Sequence, residues 1–192
     1  MLNYPMDPAI LKAEMDDLPI IHKLFDEAIQ FQKLNKFTGW YTIDENFVKE
    51  DVQNGRLFKV VMHNQTIGIF SLYRNDKLIW RNLEKGDAIY LHRIVVNQTT
   101  KGIKIFPHVL AWAIRIAWKQ GLRYIRMDTW ANNNKLIRYY ESYGFKPIEN
   151  YTTPNTPALP QQHRKLTVML LEFTIPVYNA KKNRVYGKEE CQ

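Results

Sequence analysis

A chain of 192 residues has the length of one domain and can bury a core without disulfides or a metal to staple it. Its 45% hydrophobic and 24% charged residues are those of a globular protein; its one cysteine, Cys191, excludes a disulfide scaffold, and no apolar run approaches the ~20 residues of a membrane-spanning helix. The net charge of +8 asks for an anionic partner or a well-solvated surface.

Taken in order, Ala9 to Glu14 reads as a short first strand. Asp16 or Asp17 caps a helix with Pro19 in its first turn, and Leu18, Ile21, Leu24, Phe25, Ala28 and Phe31 recur at helical spacing as far as Leu34. Thr42-Ile43-Asp44-Glu45 has the form of a capping box and opens a second helix ending near Asn54-Gly55. Two β-rich runs, Leu57 to Met62 and Thr66 to Tyr73, flank His63-Asn64-Gln65 as a hairpin. Asn75-Asp76 and Glu84-Lys85-Gly86-Asp87 bracket a looser connection.

Ala88 to Val96 is almost continuously apolar, which predicts a central strand covered on both faces. A long helix from about Lys104 to Gln120 carries an apolar stripe through Ile105, Val109, Trp112 and Ile116, and Gly121 ends it. Tyr124 to Thr129 is a strand, Asn134 to Tyr143 a short helix, and Phe145 to Glu149 and Leu166 to Phe173 the last strands, with a proline-rich loop at Thr153 to Pro160 between them. Strand–helix–strand–helix–strand in this half implies an α/β domain, a mixed sheet with helices on both faces. Residues 1–178 read as one domain and 179–192 as a polar tail. The N-terminus lacks a basic region followed by an apolar one, so no signal peptide is read and the expected compartment is the cytoplasm.

Charge is unevenly placed. From Ala88 to Met127 there are seven basic residues (Arg93, Lys101, Lys104, Arg115, Lys119, Arg123, Arg126) and no acidic one. That stretch fits attraction of a polyanion, coenzyme A phosphates or nucleic acid, and equally a solvated helix face plus strand ends.

Tyr90-Leu91-His92-Arg93-Ile94-Val95-Val96-Asn97, Leu122 to Thr129, and Asn133 standing seven residues before Tyr140 in Tyr140-Glu141-Ser142-Tyr143-Gly144-Phe145 together carry a resemblance. In sequence and joint spacing they are similar to the fourth strand, fifth strand and Tyr-x-x-x-Gly-Phe ending of the GNAT superfamily of N-acetyltransferases. The resemblance implies a mostly antiparallel seven-stranded sheet whose central strands 4 and 5 splay apart. It implies acetyl-CoA as co-substrate, no metal, and direct transfer of the acetyl group to an amine in a ternary complex.

Site roles follow from the same resemblance. The backbone of Ile94, Val95 and Val96 would pair with the pantetheine arm, with an amide near Val95 at the oxyanion. Lys101, Gly102 and Lys104 would stand at the pyrophosphate, where helix N-terminal amides favour anions. Asn133 would contact the cofactor arm, and Tyr140 would protonate the leaving thiolate. His92 is the candidate general base. The residues themselves leave other readings open: Tyr140 shares an apolar helix face with Leu136 and Tyr143, Asn133 sits where a helix cap would, and His92 reads equally as a buried hydrogen-bonded histidine. Asp128 could pair with Arg93 or Arg126, and Asp87 is a second base candidate.

The phosphate loop departs from the family's Gln/Arg-x-x-Gly-x-Gly/Ala. In gapless register the chain has Lys101-Gly102-Ile103-Lys104-Ile105-Phe106, with both small positions lost to Lys104 and Phe106. Phe106 clashes with a bound pyrophosphate unless its ring turns into the core; Lys104 offers a charge instead. In this the chain resembles a GNAT subgroup with a degenerate loop. The alternative is a catalytically degenerate GNAT-like module that binds a ligand or protein partner. A nucleic-acid-binding domain ranks last, because Trp112 and Trp118 lie on a helix that reads as core. The expected acceptor is a small-molecule or peptide amine. Gly39-Trp40-Tyr41 offers aromatic surface, Trp80 either does the same or only closes the core, and edge strands of this fold could pair in a homodimer.

Overall fold

In the computed structural model, which describes residues 7–37, 39–100 and 102–176, the predicted strands and helices all form. They are β1 (Ala9–Lys12), α1 (Leu18–Leu34), α2 (Glu45–Gln53), β2 (Leu57–Met62), β3 (Gln65–Tyr73), a one-turn α3 (Lys77–Trp80), β4 (Ala88–Val96), α4 (Phe106–Lys119), β5 (Tyr124–Trp130), α5 (Asn134–Glu141), β6 (Lys146–Thr152) and β7 (Thr167–Thr174). The tail 179–192 lies outside the described residues. Boundaries move by a few residues where caps decide them. Asp44, not Thr42, caps α2, its carboxylate accepting from the Phe47 amide at 3.4 Å. Pro107 sits in the first turn of α4, where its missing N–H costs nothing. His63 and Asn64, both left-handed at φ 50° and 59°, close the β2–β3 hairpin. The connection expected to be loose holds α3 and a 3₁₀ turn at Arg81–Leu83.

The seven strands form one sheet in the order β1-β2-β3-β4-β5-β7-β6, and every neighbouring pair is antiparallel except β4–β5. Helices cover both faces. Val109, Ala113 and Tyr140 of α4 and α5 pack with Ile89 and Leu91 on one side. Leu24, Phe25 and Val52 of α1 and α2 pack with Ile69 and Val95 on the other. No helix among the described residues is long and apolar enough to cross a membrane.

The parallel pairing runs only from Ala88 opposite Tyr124 to Leu91 opposite Met127. Beyond it β4 continues from His92 to Val96 and β5 from Asp128 to Trp130 without pairing to each other, so the sheet opens there. A bulge in β4 accounts for the divergence. Its register against β3 passes from His92 opposite Ser71 to Val95 opposite Ile69, so Arg93 and Ile94 share one place on the partner strand. Arg93 has φ 51°, a left-handed conformation that a β-carbon disfavours. Such bulges bend a strand and sharpen its twist.

What holds Arg93 there is a buried ionic network. Its guanidinium donates to the Asp51 carboxylate, to the Tyr73 hydroxyl at 2.8 Å and to Ser71 Oγ at 3.3 Å. Asp51 also accepts from Ser71 at 2.9 Å and from the Tyr73 hydroxyl, and Arg56 Nε lies 3.0 Å away. Arg93 therefore pairs with Asp51, not with Asp128. Arg126 is buried as well, against Glu172 at 2.8 Å. Two of the seven basic residues between Ala88 and Met127 are thus buried and ion-paired, while Arg115, Lys119 and Arg123 are exposed.

Candidate functional site

The opening between β4 and β5 leads into a cavity of about 540 Å³ that reaches both faces of the sheet. That is room for a small molecule or the reactive end of a larger one. On the α4–α5 side it is lined by Ile103, Lys104, Asn133, Leu136 and Tyr140; on the α1–α2 side by Phe31, Phe37, Trp40, Trp130 and His163. Ile94, Val95 and Val96 form its edge, with no strand on their β5 side.

Of the predicted site residues, Tyr140, His92, Ile94, Val95, Val96, Lys104 and Asn133 all line this cavity. Gly102 lies outside the lining, in a left-handed conformation (φ 84°) with open space where a β-carbon would stand. Lys101 falls outside the described residues. The Asn133 side chain caps α5, accepting from the Leu136 amide at 3.1 Å. Phe106 turns its ring inward, 3% exposed, against Tyr140 at 4.9 Å and Tyr143 at 5.0 Å, so it leaves the loop free. Gly68 of β3 makes room for the start of that helix: a β-carbon there would lie 2.4 Å from Ile105 Cδ1 and 2.7 Å from the Val95 carbonyl.

His92 is held between two carboxylates. Its Nε2 lies 3.3 Å from Asp76 Oδ2 and its Nδ1 3.5 Å from Asp128 Oδ1, with the Tyr73 ring edge-on at 5.1 Å. Burial opposes its charge, but the Asp76 and Asp128 carboxylates outweigh burial and the nearby Arg93, and the imidazole titrates above its ordinary range. Asp128 is pushed up to about 6, mainly by burial. Asp76, His92 and Asp128 have ligand atoms within 4.8 Å of one another. The imidazole, however, turns one nitrogen to each carboxylate, an arrangement for sharing a proton rather than converging on one ion.

Tyr140 is buried, and burial, then Tyr139 and Asp128, raise its phenol above the usual range, so it keeps its proton. Asp87 has no place here. It pairs with Arg126 at 3.5 Å, and its carbonyl receives the Arg123 and Tyr124 amides at the opposite end of β4. Trp80 is fully buried against Tyr90 and closes the core. Sequence reasoning missed Asp51 and Trp130. Asp51 alone left a signal, a carboxylate on the Val48–Val52 stripe of α2.

The acetyltransferase (GNAT) family model matches residues 21–145. No curated protein matches by sequence. Among solved structures, a GNAT-family acetyltransferase from Listeria monocytogenes superposes with a TM-score of 0.70 at 18% identity, over 87% of this chain and 94% of that one. The ribosomal-protein-alanine N-acetyltransferase of Brucella melitensis gives 0.60 at 16%, over 86% and 99%. The Salmonella typhimurium protein yncA, solved with its cofactor acetyl-CoA, gives 0.60 at 14%, over 91% and 98%. These likenesses show the fold. The family match itself runs from within α1 to the residue before β6 and takes in both strands of the gap, and by it the chain belongs to the GNAT family of acetyltransferases.

Proposed function

We propose that the protein transfers an acetyl group from acetyl-CoA to an amine by direct attack in a ternary complex. The observation that carries this is the cavity through the β4–β5 gap, with Tyr140 and His92 both on its wall. Acetyl-CoA supplies a thioester reactive enough that placement does most of the work. The unpaired edge of Ile94 to Val96 fits an extended arm that needs backbone partners, and Lys104 fits a phosphate. The amine nitrogen bonds to the acetyl carbon as the carbon–sulfur bond breaks. His92, acting with Asp128, takes the proton that the amine loses, and Tyr140 gives its proton to the departing sulfur. An amide at Val95 steadies the oxygen as charge builds on it.

Thermal unfolding with and without acetyl-CoA tests the reading first. At ~100 times its dissociation constant a ligand adds about 2.7 kcal/mol, and at roughly 2–4 °C per kcal/mol the midpoint rises by roughly 5–10 °C. No shift at millimolar acetyl-CoA would favour a non-catalytic module instead. Lys104→Ala is expected to weaken acetyl-CoA about tenfold, the worth of one charged hydrogen bond at about 1.5 kcal/mol, and to flatten the salt dependence of binding. Unchanged affinity in a titration would place the phosphates elsewhere.

A further inference from the structure

The α1–α2 end of the cavity is an aromatic box with unpartnered polar atoms. Trp40 and Trp130 meet there, ring centroids 5.6 Å apart and planes tilted by 58°. Trp40 is fixed in place. Its backbone N–H donates to Gln32 Oε1 at 2.9 Å, and its ring stands edge-on to the buried Phe25 at 5.9 Å. Gly39 permits that seat, since a β-carbon there would fall 2.0 Å from Gln32 Oε1. Trp130 follows Asp128 by two residues on β5, so both project from the same face of the strand. At the rim, Phe31 and Phe37 meet edge-to-face at 6.0 Å and are 42% and 45% exposed. Aromatic area is thus left uncovered around an entrance.

The polar atoms define the other half of the occupant. His163 Nε2 is buried without a hydrogen bond, and Asp128 Oδ1, buried too, makes none either, its ion-pair neighbour being His92 Nδ1 at 3.5 Å. Buried polar atoms left so are costly, and a ligand that supplies their partner recovers the cost. Burial, then the charges of Arg93 and His92, drives His163 down to about 3, so its imidazole is neutral and has a lone pair to offer. A carboxylate and an imidazole lone pair call for a donor, and an ammonium brings three. Arg93, whose charge with that of His92 is felt at both groups, is already paired with Asp51. Among the described residues lining the cavity, Asp128 is the only carboxylate. That suits one ammonium and leaves the further charges of a polyamine without partners.

Resting on the amine-acetylation reading above, we infer that the acceptor is a small primary amine carried on an aromatic ring, the ring held against Trp40 and Trp130 and the ammonium at Asp128. Faces of tryptophan attract both flat rings and the cation tethered to them.

Two readouts on the full chain separate this from acetyl transfer itself. Quenching of tryptophan fluorescence without acetyl-CoA reads binding of phenethylamine, spermidine and an alanine-led tripeptide. Release of the coenzyme A thiol, with acetyl-CoA present, reads turnover. Phenethylamine should quench saturably and bind about tenfold or more tighter than the other two, and Trp40→Ala should erase that margin. Should Trp40→Ala lower the melting temperature, Asp128→Asn carries the test. It should weaken phenethylamine about tenfold while leaving the neutral 2-phenylethanol within about twofold. Spermidine or the tripeptide binding as tightly as phenethylamine overturns the inference, as does an absent response to phenethylamine. Phenethylamine that binds and is not acetylated upholds the pocket and overturns acetyl transfer to it. Acetylation of the tripeptide with no phenethylamine binding overturns the pocket and upholds acetyl transfer to another amine.

Discussion

Replacing Asp51 with alanine is expected to cost about 3–5 kcal/mol of folding stability, the range for removing one partner of a buried ion pair. At roughly 2–4 °C per kcal/mol, the thermal midpoint would fall by roughly 6–20 °C. Asp51 is fully buried and the Arg93 side chain is 4% exposed, so the guanidinium would be left charged, desolvated and without its anion. Ser71 Oγ and the Tyr73 hydroxyl would lose an acceptor in the same step. Arg56, a third exposed, can turn to solvent; Arg93 cannot without unmaking the bulge that gives it φ 51°. Chemical denaturation measures the loss. Asp51→Ala combined with Arg93→Met should unfold at higher denaturant than Asp51→Ala alone, because the stranded charge goes too. A single variant as stable as the parent would mean that Arg93 is not pinned by this pair and that the β4–β5 opening has another origin.

The elements of this fold were legible because they are local. The stripe Ile21, Leu24, Phe25, Ala28 marks α1, Pro107 marks the start of α4, and the apolar run from Ala88 marks the strand at the centre of the sheet. The opening of the sheet was available only through family resemblance. Its physical cause, the bulge, sits at an arginine, and nothing local distinguishes an arginine in a left-handed conformation from one in a plain strand. The stabilising partner lies 42 residues earlier on α2. The same distance problem kept the box at the α1–α2 end from being assembled, although Trp40 itself was legible as aromatic surface. Trp40 and Trp130 are joined by topology alone, and His163 reaches the cavity from a loop with no periodicity to read. Counting charge also misled. Arg93 and Arg126, which swell the basic stretch in the sequence, are interior ions with their anions beside them.

Tyr140→Phe is expected to lower kcat by about 10²–10⁴, the usual worth of a positioned acid, and to leave acetyl-CoA affinity near its parent value. The two effects separate because one oxygen is removed and the ring stays. That ring packs against Phe106 at 4.9 Å, Tyr139 at 5.4 Å and Phe145 at 6.2 Å, contacts that phenylalanine keeps. A structural role alone would therefore be nearly silent in this variant, whereas loss of the proton donor would not. Rapid-mixing single turnovers give the chemical step, and a binding titration gives the affinity. Equal kcat in the two proteins would remove the acid role and return Tyr140 to the core. The pH profile adds a second constraint. Burial holds the phenol protonated beyond the ordinary tyrosine range, so Tyr140 contributes no alkaline loss of rate at moderate pH. The ascending limb is expected to follow the His92–Asp128 pair, titrating as a unit under the charges of Asp76 and Arg93, with the neutral Tyr73 and His163 beside it. Tyr140→Phe should scale that limb down without moving its midpoint.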